Sequence, residues 1–473
     1  MPSTSSGSAI ASSTSSRTAE ASAPSTSWNT QARFLPDEKP TIPRVRQAPG
    51  RRQGLKRAVV VGAGVIGLAC AYSLRRRNYE VTIVDAASPG AGASEGNAGW
   101  ITPSLSMPVP APGMVGQALR WMFRSDSPLY IKPTLDPRRI RWLVGLLRNC
   151  NEASYSRGLE ATARLNARTF ELFDELEADG VEFEMHRAGL LFCFLDATKR
   201  EHVLDDLARV KELGYTPARL SRDQMQDLEP QLAGSIEAGI LVEQERQVRP
   251  ESLVTGYVKR LLGEDVEVVV GSHIGGFEWA GDSIVGVRNG EGSIEADEIV
   301  IATGAHTGGL ARKLGVRVPI DAGKGYSLHY APAPVNVNHA LYLYEARVGV
   351  TPFDGAIRFA GTMEFSGVNT RLQATRVDAI ARSAGTYLRE WPDDAEGRAW
   401  AGMRPVAPDG LPVIGRIAKN VTVASGHSML GVTLAPVTGD LVATVIAEAR
   451  TPDVLRPFDP LRFNHRATRR PAV

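Results

Sequence analysis

Cysteine is scarce in this 473-residue chain: Cys70, Cys150 and Cys193 are far apart and form no C-x-x-C pair. That excludes a disulfide framework and a cysteine zinc site, and it fits buried apolar thiols in a reducing compartment. Excess charge is also lacking. The net charge is +2, so the broad basic face that nucleic-acid binding needs has no support. No stretch of about 19 residues is free enough of charge to span a bilayer. His186, His202, His273, His329, His339 and His465 follow no ligand spacing, so no metal site is expected. Acidic residues are absent before Glu20, in a segment 1–55 rich in Ser, Thr, Ala and Pro without apolar periodicity. It reads as a disordered tail; its alternative, an organelle transit peptide, would carry more arginine and an amphipathic helix.

What is present begins at RAVVVGAGVIGLACAYSLRRRNYEVTIVD, residues 57–85. With GRRQGLK before it, a twin-arginine export signal is one reading. Cleavage behind its apolar core would destroy the pattern that follows, and Arg75, Arg76 and Arg77 suit translocation badly. The other reading is a strand, a turn and a helix. Val59, Val60 and Val61 form a β-branched run. Gly62, Gly64 and Gly67 then give G-x-G-x-x-G: a tight turn, a close approach to a pyrophosphate, and a helix packed closely on its strand. The helix is expected over 65–77, its N-terminal N–H groups at Val65 and Ile66 facing the phosphates. A second strand, Glu80 to Val84, ends in Asp85, placed for the ribose hydroxyls of an adenosine.

After Asp85 comes SPGAGASEGNAGWITPS, a small-residue loop in which Ser94, Asn97, Ala98 and Gly99 let a long cofactor lie against backbone. Strands are expected at 266–270, 274–279 (opening at Ile274), 298–302 (ending in Thr303–Gly304) and 421–424. The turn GHSMLG, with Gly426, His427, Met429, Leu430 and Gly431, then opens a last helix. Repeated returns to one sheet imply a discontinuous cofactor domain. An NAD-dependent dehydrogenase shares the first fingerprint, but the second loop and the C-terminal turn argue against it.

These motifs, with PAPGMVGQALRWMFRSDSPLYIKP, RRIRWLVGLLRNC, KGYSL, RFAGTMEFSG and GMRPVAPDGLPVIG, follow one another in order between 57 and 448. The sequence resembles the FAD-dependent amine and amino-acid oxidoreductases of the D-amino-acid oxidase superfamily, within it the bacterial D-amino-acid dehydrogenases of the small-subunit type. VEQERQVRPESLVTGYV is closer to glycine or sarcosine oxidases, His306 replaces a frequent tryptophan, and Asp85 stands where Glu is commoner. The resemblance implies an α/β fold in two domains: a Rossmann-like FAD-binding domain from 57–154, 245–315 and 402–448, and a mixed α+β substrate domain from 155–244, with a helical stretch at 155–215, and strand-rich 318–400. A tail, 449–473, follows.

It also implies noncovalent FAD, since no cysteine follows Cys193, and hydride transfer from a D-amino acid Cα to flavin N5, yielding a 2-oxo acid and ammonia. D-Hydroxyproline, glycine and sarcosine enzymes share the frame, with oxygen, a quinone or the respiratory chain as acceptor. The residues it places on FAD are Val61, Gly62, Gly64, Val65, Ile66, Gly67, Asp85, Ser94, Asn97, Ala98, Gly99, Ile274, Thr303, Gly304, Gly426, His427, Met429, Leu430 and Gly431. Arg404 is expected to fork onto the substrate carboxylate. Tyr326 offers a hydroxyl or packs, Tyr344 with Tyr342 and Arg347 lies in a pocket segment, and Met363 is a sheet residue near the pocket wall. A non-catalytic flavoprotein is the reading of another class; Arg404 in its setting argues against it. The chain is expected in the cytoplasm. DPRRIRWLVGLLR, 136–148, has Ile140, Leu143, Val144 and Leu147 on one stripe among arginines. It is either a helix packed on the core or an interfacial helix on the inner face of the cytoplasmic membrane.

Overall fold

The segment 57–85 folds as its pattern dictates. Strand Arg57–Val61 leads through the glycine turn into helix Val65–Arg76 and strand Glu80–Val84. These coordinates are a computed structural model that describes residues 54–464 apart from 115, 117–126, 211–213 and 291. The tail 1–53, His465 and much of the 110–133 motif therefore lie outside the described residues.

Arg57–Val61 is central in a six-stranded sheet. The order is Glu267–Val269, Glu80–Val84, Arg57–Val61, Glu298–Ile301, Val421–Ser425 and Val413–Ala418. The first five are parallel and the last is antiparallel. Their β-branched runs are buried on both faces, as parallel strands between helices must be. Helix Val65–Arg76 packs against helices Pro250–Gly263 and Ala435–Glu448. Gly439 permits the closest crossing: a Cβ there would sit 2.4 Å from the Ala69 carbonyl oxygen.

A second, nine-stranded sheet runs Arg398–Val406, Asp321–Tyr330, Ala356–Phe365, Val348–Phe353, Ala340–Leu343, Leu190–Phe194, Ala238–Val242 and Ala218–Ser221, with Leu129–Ile131 pairing beside Ala356–Phe365. The described residues, 54–464, group within one unit. The expected helical stretch 155–215 needs a correction. It holds helices Glu152–Leu165, Thr169–Ala178 and Ala197–Ala208, but LLFCF, Leu190–Phe194, is a strand with a partner on each side. A fully buried five-residue apolar run suits a central strand. The second sheet also takes Leu129–Ile131 and reaches Val406, so the boundary drawn at 402 falls inside a strand. The described residues after 448 are packed: Leu455 and Phe458 are buried and Arg462 pairs with Asp409. The three cysteines are free, Cys70 and Cys193 buried. No helix among the described residues is long and apolar enough to cross a membrane.

Candidate active site

Strands 57–61, 80–84, 298–301 and 421–425 end on one side of the six-stranded sheet, where ligands of open parallel sheets bind. A cavity of about 680 Å³ lies there, within the range of about 300–1,000 Å³ usual for cofactor sites. Val61 and Gly62, Val84 and Asp85, Ala302 and Thr303, and Ala424 and Ser425 line it where the strands stop. Gly64, Val65, Ile66, Ser94, Asn97, Ile274, Gly304, His427 and Gly431 complete the expected lining. Arg404 reaches it from the second sheet.

The three glycines of the fingerprint have different reasons to be there. Gly62 has φ +112°, and a Cβ on it would meet the Ala302 oxygen at 2.4 Å. A Cβ on Gly67 would come within 1.8 Å of the Gly62 oxygen. Gly64 has an ordinary φ of −71°, and its Cβ would meet nothing closer than Ser94 Oγ at 3.5 Å. The fold itself requires Gly62 and Gly67. Gly64 leaves room on the cavity side, at a helix N-terminus with no acid in its first turn. Ser94 Oγ accepts the Val65 N–H (3.0 Å) from the neighbouring loop. Asp85 accepts from the Ala63 N–H (2.6 Å) and the Ala87 N–H (2.8 Å), tying the glycine turn to the second strand.

The small-residue loop is held by the second sheet, by helix Pro250–Gly263 and by the C-terminal turn. Arg358, 2% exposed, donates to the Asn97 oxygen (2.8 Å) and pairs with Glu251 (2.7 Å), which also accepts from the Gly96 N–H. Thr351 donates to the Ala98 oxygen, and Thr433 to the Trp100 oxygen. Ala98 and Gly99 therefore serve the loop and do not line the cavity. Gly99 has φ +77°, and its missing Cβ would lie 2.0 Å from the Val248 oxygen. In the C-terminal turn, Ser428 N–H bonds the Pro405 oxygen and Leu430 N–H the His427 oxygen. The turn is thereby fastened beside Arg404, with His427, Ser428 and Gly431 on the cavity. Gly426, Met429 and Leu430 are off it, as is Gly67. Two buried polar atoms in the turn, His427 Nδ1 and Ser428 Oγ, have no hydrogen-bond partner among the described residues. Burial draws His427 down to about 3, so it is neutral.

Arg404 is the notable charge. Nη1 donates to the Thr362 oxygen (2.8 Å), and no described carboxylate pairs with it. Burial alone draws it down to about 10. Tyr326 and Tyr344 do not join it. Along a strand, successive side chains point to opposite faces. Tyr326 sits with Lys324 on the face away from the Gly323–Gly325 side, and its hydroxyl donates to Glu364 (2.6 Å) inside the core. Tyr344 packs on Phe194 (ring centroids 4.9 Å) under Arg347. Neither lines the cavity. Met363 fills the space over Gly323. Glu184, His186 and Asp354 bring ligand atoms within 4.8 Å of one another, but Arg249 already pairs with Glu184.

Sequence reasoning missed Ser428, the rim residues Arg312 and Lys313, and the loop residues Ala91 to Ala93, all on the cavity. Asp85 is the single acid among the described lining residues. An otherwise cationic cavity with an open glycine, a bare helix N-terminus and two unpartnered polar atoms fits a dinucleotide diphosphate with a polar ring beyond it.

A family model described as FAD dependent oxidoreductase matches residues 57–445. A protein of Granulibacter bethesdensis named D-amino acid dehydrogenase is 31% identical over 407 residues, 83% of this chain and 96% of that protein. Among solved structures, glycine oxidase from Bacillus cereus superposes with a TM-score of 0.66 at 19% identity, covering 84% of this chain and 98% of that one. L-proline dehydrogenase from P. horikoshii gives 0.66 at 19% identity, covering 86% and 98%. Those two likenesses concern the fold.

Proposed function

The chain belongs to the family of FAD-dependent oxidoreductases, and from that premise we propose that it oxidises the Cα–N bond of an amino acid, a D-amino acid in the first instance, with FAD held noncovalently. One observation carries the substrate class. Arg404 is a half-buried cation on the cavity wall with no acidic partner among the described residues. A guanidinium drawn partly out of water without a counter-charge favours an anion beside it, and its planar fork suits a carboxylate. The relative's name supports the D-configuration.

Bound FAD would supply the hydride acceptor, turning the amine into an imine that water hydrolyses to a 2-oxo acid and ammonia. The protein's part is orientation. Arg404 fixes the carboxylate end, and the cavity walls then determine which Cα–H faces inward. His427, neutral, offers a hydrogen-bonding edge without charge. No cysteine lines the cavity, which supports noncovalent binding. Gly64, Val65 and Ile66 at the helix N-terminus would hold the diphosphate, and Asp85 the ribose. Glycine, sarcosine or D-hydroxyproline remains the second reading, favoured by the fold shared with glycine oxidase. A basic, apolar helix face at 137–149 supports peripheral contact with an anionic membrane, where a quinone could take the electrons.

Arg404→Ala should retain FAD and lose about two to four decades in kcat/KM on amino acids, or roughly 3–5 kcal/mol, because it also strands the carboxylate. Arg404→Lys should recover part of this. The measurement is steady-state kinetics on D- and L-amino acids, sarcosine and simple amines, with a dye and with oxygen. Equal losses on amino acids and on carboxylate-free amines would make Arg404 structural and end this reading.

A further inference from the structure

The place where the Arg404 guanidinium lies is built by a missing side chain. In the antiparallel pair Asp321–Tyr330 and Arg398–Val406, Gly323 stands opposite Arg404 and Gly325 opposite Gly402. Directly opposed residues share a face, as do residues two apart, so these four project together. A Cβ on Gly325 would lie 2.0 Å from Arg404 Nη1, 2.2 Å from Cζ and 2.4 Å from Nη2. Gly325 has no positive φ, so its backbone does not call for glycine. The guanidinium occupies the volume a side chain would take.

The second fixed point is Thr362, the oxygen that receives Nη1. It has φ +64°, a left-handed conformation that a β-branched residue rarely adopts. It sits at a bulge: the register between the strands shifts between the pairs Lys324–Glu364 and Tyr326–Gly361. The reverse face pins that bulge. Glu364 pairs with Lys324 (3.0 Å) and Arg376 (3.2 Å) and accepts the Tyr326 hydroxyl, all buried. Burial alone would raise Glu364, yet hydrogen bonds from Ser366, Tyr326 and Lys324 hold it below the usual carboxylate range. With Nη1 taken, Nε and Nη2 of Arg404 have no partner among the described residues. That edge is the side-on fork that takes both oxygens of a carboxylate.

We propose that Gly325 and Thr362 are positioning residues for a carboxylate subsite. Gly325 sets the depth and plane of the guanidinium, and the bulge carbonyl at Thr362 turns its Nε–Nη2 edge to the cavity. The inference rests on the amino-acid reading above. A cycle of Gly325→Ala, Arg404→Ala and the double variant, all as FAD-loaded enzyme, tests it. The readouts are the acetate dissociation constant, from perturbation of the flavin absorption, and the split of kcat from KM on an amino acid. Gly325→Ala should weaken acetate and raise KM by at least about tenfold at nearly unchanged FAD content, with no more than about a twofold further effect when Arg404 is already Ala. Wild-type acetate affinity in Gly325→Ala, or losses that multiply in the double variant, would overturn the proposal. If Gly325→Ala does not fold, the double variant decides. Recovery of soluble, flavin-loaded protein identifies the clash with Arg404, whereas failure makes Gly325 a backbone requirement and overturns the idea. Thr362→Gly keeps the carbonyl and suits the left-handed φ, so acetate affinity should stay within about threefold; a larger loss would assign the effect to the threonine side chain instead. If Arg404→Ala alone changes neither acetate binding nor amino-acid kinetics, the amino-acid reading falls, which is a different result from an inert Gly325→Ala beside a damaging Arg404→Ala.

Discussion

Glu245 has no exposed surface, one carboxylate oxygen accepting from the Ser104 N–H (2.9 Å), and another without a partner. Burial pushes its carboxyl up to about 8. An unfolded glutamate titrates near 4.3. Between those values the folded state holds a proton that the unfolded state has released, so this group's stability is full below the lower value and is lost as pH rises through the upper one. Unfolding free energy from denaturant titration should therefore carry a component falling by up to about 1.4 kcal/mol per pH unit between roughly pH 5 and 8. Glu245→Gln should remove that component. An unchanged slope would mean that Glu245 is ionised in the fold. Nothing in QERQVRP announces burial; an acid between two short strands reads as surface. The place of Arg404 on the cavity wall was legible because its motif carries it. Tyr326 was not, because only the strand's alternation separates Gly325, on the guanidinium's side, from its neighbour in the core.

At the scale of elements, the 57–85 unit was readable almost to the residue: strand, turn, helix Val65–Arg76 and acid-ended strand all fall where the valines and glycines put them. Its signals are local. The nine-stranded sheet was not readable, because its pairings join Leu190–Phe194 to Ala340–Leu343 and Leu129–Ile131 to Ala356–Phe365 across long stretches of chain. The bulge at Thr362 even opposes threonine's own preference, as strained functional positions do. Arg358 could not be foreseen as the clamp on the cofactor loop, since an arginine inside RFAGTMEF reads equally as an exposed strand residue. The glycine turn yields a sharp test. Gly64→Val should fold, since the Cβ has only Ser94 Oγ near it at 3.5 Å, yet it should be purified without FAD because the added methyls fill the cradle. A flavin-loaded Gly64→Val at normal stoichiometry would show that the turn holds no diphosphate.

Over the whole molecule, a net charge of +2 conceals a local asymmetry. Helix Pro137–Asn149 buries Trp142 and Leu146, an i, i+4 pair packed with Phe365 and Val406. That inward face turns the expected stripe outward: Ile140, Val144 and Leu147 are exposed, Leu147 by 51%, with Leu135 open just before the helix. Lys132, Arg138, Arg141 and Arg148 are exposed around them, while Arg139 is engaged with Asp321. The helix is therefore packed on the core, one of the two expectations, but through Trp142 and Leu146; of the stripe only Leu143 is half-inserted. Exposed apolar side chains ringed by cations match an interfacial helix, and each basic residue near an anionic surface contributes about 1 kcal/mol. The FAD-loaded enzyme should co-sediment with vesicles containing anionic lipid, and less so as salt shortens the Debye length. Reversing Arg138, Arg141 and Arg148 to Glu should lower partitioning by at least about 100-fold, with turnover on a soluble dye unchanged. Equal binding to neutral and anionic vesicles, or wild-type partitioning of the triple variant, would leave this face without a membrane role. An acceptor in the bilayer would then give way to oxygen or a soluble carrier.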